Sequence, residues 1–302
     1  MRIDQRLLAV GVVVVLASCG GGSRGTSAGS KIDIVVAENF WGSIVSQLAG
    51  DRAVVTSIIV NPATDPHDYE ATAGDARLIA QAHYVVYNGI GYDHWMNDLL
   101  SASPSSNRRI LDVGEVLGMK PGDNPHQWYS PSSVVLFIRH VSADLEALDT
   151  KDAAYFAAQE QAYETTDLHQ YRQLIAAIAH RYSGIAVGAS ESIFSPLAAA
   201  LHLKLLTPQS FLDAIAEGNE PTANDKLTAD RQITHHQIKV FVFNSQNATP
   251  DVQRLVDEAH AARLPVATVT ETLSPPNLTF QAWQVRELDT LQTALAAANT
   301  TR

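Results

Sequence analysis

KDAAYFAAQEQAYETTDLHQYRQLIAAIAHRY, from Lys151 to Tyr182, contains neither glycine nor proline and is rich in alanine, glutamine and leucine. Those residues lose little on entering a helix, and nothing in the run interrupts one. A single helix of ~30 residues is predicted, ~45 Å long, enough to run the length of a two-lobed protein.

The segments on either side decide what that helix joins. Upstream, short β-branched runs predict strands over 32–37, 54–60, 84–87 and 110–113. Helical spacing separates them at 40–48, 72–82 and 92–100, and Ser130-Pro131 opens another helix. Downstream, strands are predicted over 184–187, 204–206, 240–244 and 266–269, with helices over 193–201, 252–262 and 281–298. Strands alternating with helices mean parallel sheets. The fold class is therefore α/β: two parallel-sheet lobes joined by one long rigid helix rather than a flexible hinge. The expected boundaries are 31–150 for the N-terminal lobe, 151–183 for the linking helix and 184–302 for the C-terminal lobe.

In such sheets ligands bind beyond the carboxyl ends of the strands. Asp65-Pro66-His67-Asp68-Tyr69-Glu70 comes after the strand at 54–60, and Asn124-Pro125-His126-Gln127-Trp128-Tyr129 after the one at 110–113. Proline fixes its own φ and pushes the preceding residue towards extended geometry, so each histidine leaves a stiff loop. One Pro-His alone reads as a turn. Two on loops of one lobe read as half of a metal site, imidazole being the commonest ligand for transition metals. The C-terminal lobe supplies carboxylates in matching places. Glu191, in Gly188-Ala189-Ser190-Glu191-Ser192, lies just past the first strand of that lobe; Glu271, in Thr268-Val269-Thr270-Glu271-Thr272, just past the last. His67, His126, Glu191 and Glu271 are the candidate ligands of a cage in the inter-lobe cleft. Gly188–Ser192 also resembles the G-x-S-x-G nucleophile elbow. Ser192 replaces the second glycine, and no convincing Asp-then-His pair comes after it, since His260 falls mid-helix, which argues against serine catalysis.

The chain opens as an exported protein. Arg2 and Arg6 precede an apolar run, Leu7 to Val15, too short to span a bilayer as a helix. Leu16-Ala17-Ser18-Cys19 then brings the only cysteine. This resembles a bacterial lipobox, so 1–18 is expected to be a lipoprotein signal peptide and Cys19 the lipid anchor. The Gly- and Ser-rich stretch 19–30 is expected to be a flexible tether. The folded part would sit on the extracytoplasmic face of the cell membrane. With 21 basic against 32 acidic residues, a net charge of −11 disfavours nucleic acid as a partner and suits one that attracts cations.

Taken together, these segments resemble the metal-binding lipoproteins of bacterial zinc and manganese ABC importers, the cluster A-I solute-binding proteins. The resemblance covers nearly the whole chain. It rests on the lipobox, Glu38-Asn39-Phe40-Trp41-Gly42, the two Pro-His segments, Asn88-Gly89-Ile90-Gly91-Tyr92-Asp93, the long helix, Glu191 and Glu271. It implies His67 and His126 as the N-lobe ligands. Glu191 would take the third position, often His in zinc-specific members and Glu in manganese-type ones. Glu271 would take the fourth, usually Asp or Glu. Asn124 replaces the aspartate common before the second Pro-His. The histidine-rich loop of zinc-specific members is absent, since 68–125 holds only His83 and His94. The remaining histidines, His235-His236 among them, read as surface or core residues.

The expected cargo is Mn2+ or Zn2+. Hard carboxylate oxygens tilt the reading slightly to manganese, although zinc out-competes it at most N/O sites of equal geometry. Four protein ligands leave little room for an activated water and no H-E-x-x-H is present, so capture is favoured over metallohydrolysis. The alternatives are a zinc-specific binding protein of the same importer class, an extracellular metallohydrolase and, with no direct support, an adhesin. The expected partners are an ABC permease and, through acylated Cys19, the lipid membrane; the protein itself is expected to be a monomer. The long helix should restrict closure to small movements.

Overall fold

The computed structural model describes residues 31–67 and 69–300. The expected signal peptide over 1–18, Cys19 and the expected tether over 19–30 fall outside the described residues. The first sheet comprises β1 (Ile32–Glu38), β2 (Ala53–Ile59), β3 (Tyr84–Tyr87) and β4 (Arg109–Asp112), all parallel, in the order β2-β1-β3-β4. The second comprises β5 (Ala186–Ala189), β6 (Lys204–Leu205), β7 (Val240–Asn244) and β8 (Val266–Val269), in the equivalent order β6-β5-β7-β8. In each lobe the chain reverses its direction of travel between the first and third strands. A crevice opens at their carboxyl ends there.

Twelve α-helices surround the sheets among the described residues. The first lobe carries α1 (Asn39–Ala49), α2 (Ala73–Gln81), α3 (Trp95–Ala102), α4 (Val113–Leu117) and α5 (Pro131–Leu148). The link is α6 (Ala153–Ala162) and α7 (His169–Tyr182), and the second lobe carries α8 (Ser195–Ala200), α9 (Gln209–Ala216), α10 (Ala223–Thr234), α11 (Pro250–Ala261) and α12 (Phe280–Thr300). Their starts are set by local chemistry. Thr72 and Asp75 form a reciprocal capping box on α2, and Ser130 and Thr249 cap helices whose first residue is proline.

The link departs from a single uninterrupted helix. It starts at Ala153, passes through a π-helical segment at Tyr163–Asp167 and resumes at His169. Leu168 N donates to Tyr163 O at 3.0 Å, a five-residue step. The extra residue rotates α7 by about 100° relative to α6. That rotation lets α6 bury Phe156 against α1 and α5, while α7 buries Tyr171, Ile178 and Tyr182 alongside α12. Two smaller differences have clear causes. The second sheet starts at Ala186 rather than 184, because Gly184 turns at φ +77°. Helix α3 waits until Trp95, because Gly89, Ile90 and Gly91 all take left-handed φ. Helices α9 and α10 fill a stretch for which no element was expected.

The lobes share one apolar core. Polar contacts also tie α1 to the chain around the start of α12. Gln47 and Gln281 exchange amide hydrogen bonds at 2.6 and 3.2 Å, Phe280 N donates to Ser43 Oγ at 2.9 Å, and Leu273 N donates to Asn39 Oδ1 at 3.2 Å. No helix among the described residues is long and apolar enough to cross a membrane.

Candidate metal centre

His126 sits directly behind Pro125 and enters a 3-10 turn at Gln127–Tyr129. Asn124 Oδ1 accepts from the His126 backbone N at 3.0 Å and lies 2.9 Å from Nδ1. A carboxamide oxygen can only accept, so this contact calls for the tautomer protonated at Nδ1. Nε2 is then left with its lone pair facing the cleft, buried and without a hydrogen bond. The ring is inaccessible to solvent and packs against Trp128 at 5.2 Å between centroids. Burial, and then the nearby charge of His67, hold its pKa well below the usual imidazole range. Asn124 also reaches the other lobe, its Nδ2 donating to Ser192 O at 2.8 Å.

His67 sits on the loop between β2 and α2. Asp65 Oδ1 accepts from its backbone N at 2.9 Å, and Trp95 Nε1 donates to the carbonyl of Pro66 at 3.2 Å. Its ring stands edge-on to Tyr92, 4.5 Å away, and 6.4 Å from the ring of His126. It lines two small cavities. One, of about 50 Å3, is shared with Asn247 and Glu271; the other, of about 70 Å3, with Asn124, His126 and Ser192.

Glu191 leaves the end of β5 in extended geometry and is fully buried. Asn244 Nδ2 donates to its Oε1, and Asn247 Nδ2 to its Oε2, each at 2.6 Å. Glu271 lies just past β8. Its Oε1 accepts from Asn244 Nδ2 at 3.0 Å, and its Oε2 from Tyr92 Oη, a group of the other lobe, at 2.9 Å. Oε1 also lies 3.7 Å from His126 Nε2. Burial raises the pKa of both carboxyls, and the charge of Glu191 pushes Glu271 further up.

Ligand atoms of His126, Glu191 and Glu271 all lie within 4.8 Å of one another. The fold thus brings three of the four expected residues into one tight group and places His67 at its edge. Among the described residues, no lysine or arginine forms an ion pair with either glutamate. One buried and one partly buried carboxylate with an imidazole facing them, and no lysine or arginine paired to them, form a site whose charge a divalent ion would satisfy.

Other carboxyls support the floor. Glu287 of α12 is held 2.5 Å from Tyr129 Oη and accepts from Thr270 Oγ1 at 2.9 Å; burial pushes its pKa up to about 8. Glu38, at the end of β1, and Asp93 form a second buried pair, with Asp93 pushed up to about 7 mainly by burial. Sequence reasoning passed over Asn244, Asn247, Tyr92 and Glu287. Asn244 ends the third strand of its sheet, so the strand-end rule that singled out Glu191 also pointed there.

A family profile described as zinc-uptake complex component A, periplasmic, matches residues 34–294. The manganese-binding lipoprotein MntA of Halalkalibacterium halodurans is 27% identical over 170 residues, covering 54% of this chain and 55% of that protein. The manganese ABC transporter substrate-binding lipoprotein PsaA of Streptococcus mitis is 26% identical over 164 residues, 50% and 53% of the two chains. These matches span about half the length of the curated relatives. A Mn-bound periplasmic metal binding protein from Candidatus Liberibacter asiaticus superposes with a TM-score of 0.72 at 21% identity, over 88% of this chain and 99% of that one. At that identity the likeness speaks for the fold.

Proposed function

We propose that this chain, which belongs to the family described as zinc-uptake complex component A, periplasmic, captures a divalent transition metal outside the cytoplasmic membrane and delivers it to an ABC permease. The observation that carries the reading is the group of His126, Glu191 and Glu271, the first two fully buried, with ligand atoms within 4.8 Å of one another and His67 beside them. In this proposal the metal is cargo. His126 and His67 bind it as neutral imidazoles, and Glu191 and Glu271 bind it as carboxylates. A divalent ion removes the repulsion between the two glutamates and competes with protons for their oxygens.

Manganese is slightly favoured over zinc, because the glutamates supply hard oxygen donors. The similarity to proteins named for manganese supports that order. The runner-up is a zinc carrier of the same importer class, since zinc binds more tightly at equal geometry. Family members are substrate-binding components rather than enzymes. For this chain we hold that the ligands enclose the ion without leaving a position for an activated water. The similarity to lipoproteins supports Cys19 as the acylated anchor, after a signal peptide over 1–18 and ahead of a tether over 19–30. We take the working form as a monomer, with lobes over 31–150 and 184–302 and the link between them.

The test is titration of the metal-stripped mature protein with Mn2+ and Zn2+ against a chelator of known affinity. Tight binding of one ion per chain is expected, weakened by His126→Ala. Wild-type affinity in that variant would sink the assignment. Metal analysis of the protein taken from its own cell envelope then identifies the physiological cargo.

A further inference from the structure

Every oxygen of Glu191 and Glu271 already accepts a hydrogen bond, and three of the four bonds come from two uncharged side chains. Asn244 Nδ2 bridges the glutamates, at 2.6 Å from Glu191 Oε1 and 3.0 Å from Glu271 Oε1. Asn247 Nδ2 takes Glu191 Oε2 at 2.6 Å. Tyr92 Oη takes the remaining oxygen. An amide nitrogen carries two hydrogens, so one Asn244 side chain can serve both carboxylates.

Neither amide is free to rotate end for end. Asn244 Oδ1 accepts from the backbone N of Gln246 at 3.0 Å, a group that can only donate. Asn247 gives its second hydrogen to the carbonyl of Ile215 at 3.1 Å, a group that can only accept. The backbone therefore fixes which end of each amide faces the glutamates. A carboxylate oxygen has two lone pairs, so each keeps one for a metal. With both oxygens of each carboxylate pinned and half-used, up to four carboxylate oxygens are available to a cation beside the imidazole of His126. Such a donor set suits an ion that prefers oxygen and a high coordination number; zinc in protein sites takes four ligands. An amide also orients the carboxylates without bringing a positive charge to compete with the cargo, as lysine or arginine would.

We propose that Asn244 and Asn247 are positioning residues that set metal preference, holding Glu191 and Glu271 ready to chelate through both oxygens. The inference rests on the metal-capture reading of the site. Neither asparagine touches the metal; each acts through a glutamate.

The experiment compares wild type, Asn244→Ala and Asn247→Ala, metal-stripped, by chelator competition with Mn2+ and Zn2+ and by the visible spectrum of the Co2+-loaded protein. Co2+ absorbs weakly when six-coordinate and strongly when tetrahedral, so its spectrum reports coordination number independently of stability. In each variant manganese affinity is expected to fall about tenfold to a hundredfold, with zinc within about threefold. The Co2+ bands are expected to intensify. A parallel loss of both metals with an unchanged Co2+ spectrum would mean a purely structural role and would overturn the proposal, as would wild-type values throughout. Asn247 is only partly buried, so Asn247→Ala carries the test should Asn244→Ala fail to fold. A wild-type protein that binds none of the three ions would overturn the capture reading itself; one that binds them, with variants unchanged, overturns this inference alone.

Discussion

His67 and His126 stand in nearly the same sequence setting, each behind a proline and ahead of an aromatic, yet the fold places them differently. His126 is wholly buried, its ring set by Asn124, and its Nε2 belongs to a group already assembled with Glu191 and Glu271. His67 lies on a loop and is only partly buried, its ring edge against Tyr92 and 6.4 Å from its twin. Similar motifs can thus supply the same donor atom at different stages. On the proposed reading, three of the ligands stand together and His67 joins them from the rim.

The sharpest way to break this contrast is to remove each imidazole. His126→Ala should weaken binding of both metals by at least about a hundredfold, more than loss of a supporting residue typically costs. His67→Ala should cost about tenfold less than that. Equal losses, measured by chelator competition in one buffer, would erase the distinction between an assembled trio and a closing ligand.

Glu191→His tests the trio's chemistry. It exchanges a hard oxygen for a nitrogen and removes one negative charge, so manganese affinity should drop by about a hundredfold while zinc stays within a few-fold. Parallel losses would keep Glu191 as a ligand and remove its part in selectivity.

Asn124 sharpens the contrast from outside the cage. Asn124→Ala removes the acceptor behind His126 Nδ1 and should cost about tenfold in affinity. Asn124→Asp keeps that acceptor and loses only the bond to Ser192 O, so it should bind close to wild type. If the aspartate variant is as weak as the alanine one, the cross-lobe bond matters more than the tautomer.

The smallest expected effect concerns pH and the metal-free protein. Burial holds the folded-state pKa of Glu287 at about 8, above an unfolded value near 4.5. Its contribution to stability is complete below about pH 4.5 and is lost as pH rises towards 8. Glu287→Gln should remove that share, raising the melting temperature at pH 8 relative to pH 5 by a few degrees compared with wild type. His126, with a depressed pKa, acts in the opposite direction, so the comparison between variants isolates Glu287. An identical pH dependence in both proteins would refute the assignment. Metal affinity itself should fall between pH 7.5 and about pH 5.5, because burial raises the pKa of both glutamates and protons then compete with the metal for them.

Much of this was legible in the sequence where side-chain type alone decides the outcome. The β-branched runs gave both parallel sheets, proline marked the two histidine loops, and strand ends located Glu191 and Glu271. The parts that escaped depend on partners distant in sequence. Asn244-Ser245-Gln246-Asn247 reads as an ordinary turn until Glu191 and Glu271 are brought against it. Glu287 sits among polar neighbours on α12 and reads as solvent-facing, although Tyr129 and Thr270 enclose it. Helix α10 buries little beyond Ala229 and Ile233 and leaves Leu227 exposed, so its apolar periodicity is faint. The π segment has only the β-branched pair Thr165-Thr166 to announce it.

That segment has a consequence for how such proteins can be recombined. It works as a phase shifter: what it fixes is the rotational setting of one half of the molecule's spine against the other. A hybrid taking one lobe from a relative has to keep the residue count between Phe156 and Tyr171, along with the buried Tyr163 and Leu168. Deleting one residue there would restore a regular helical repeat and turn Tyr171, Ile178 and Tyr182 by about 100°, away from the core they now fill. In this spine, the number of residues sets the facing of α7 as firmly as their identity does.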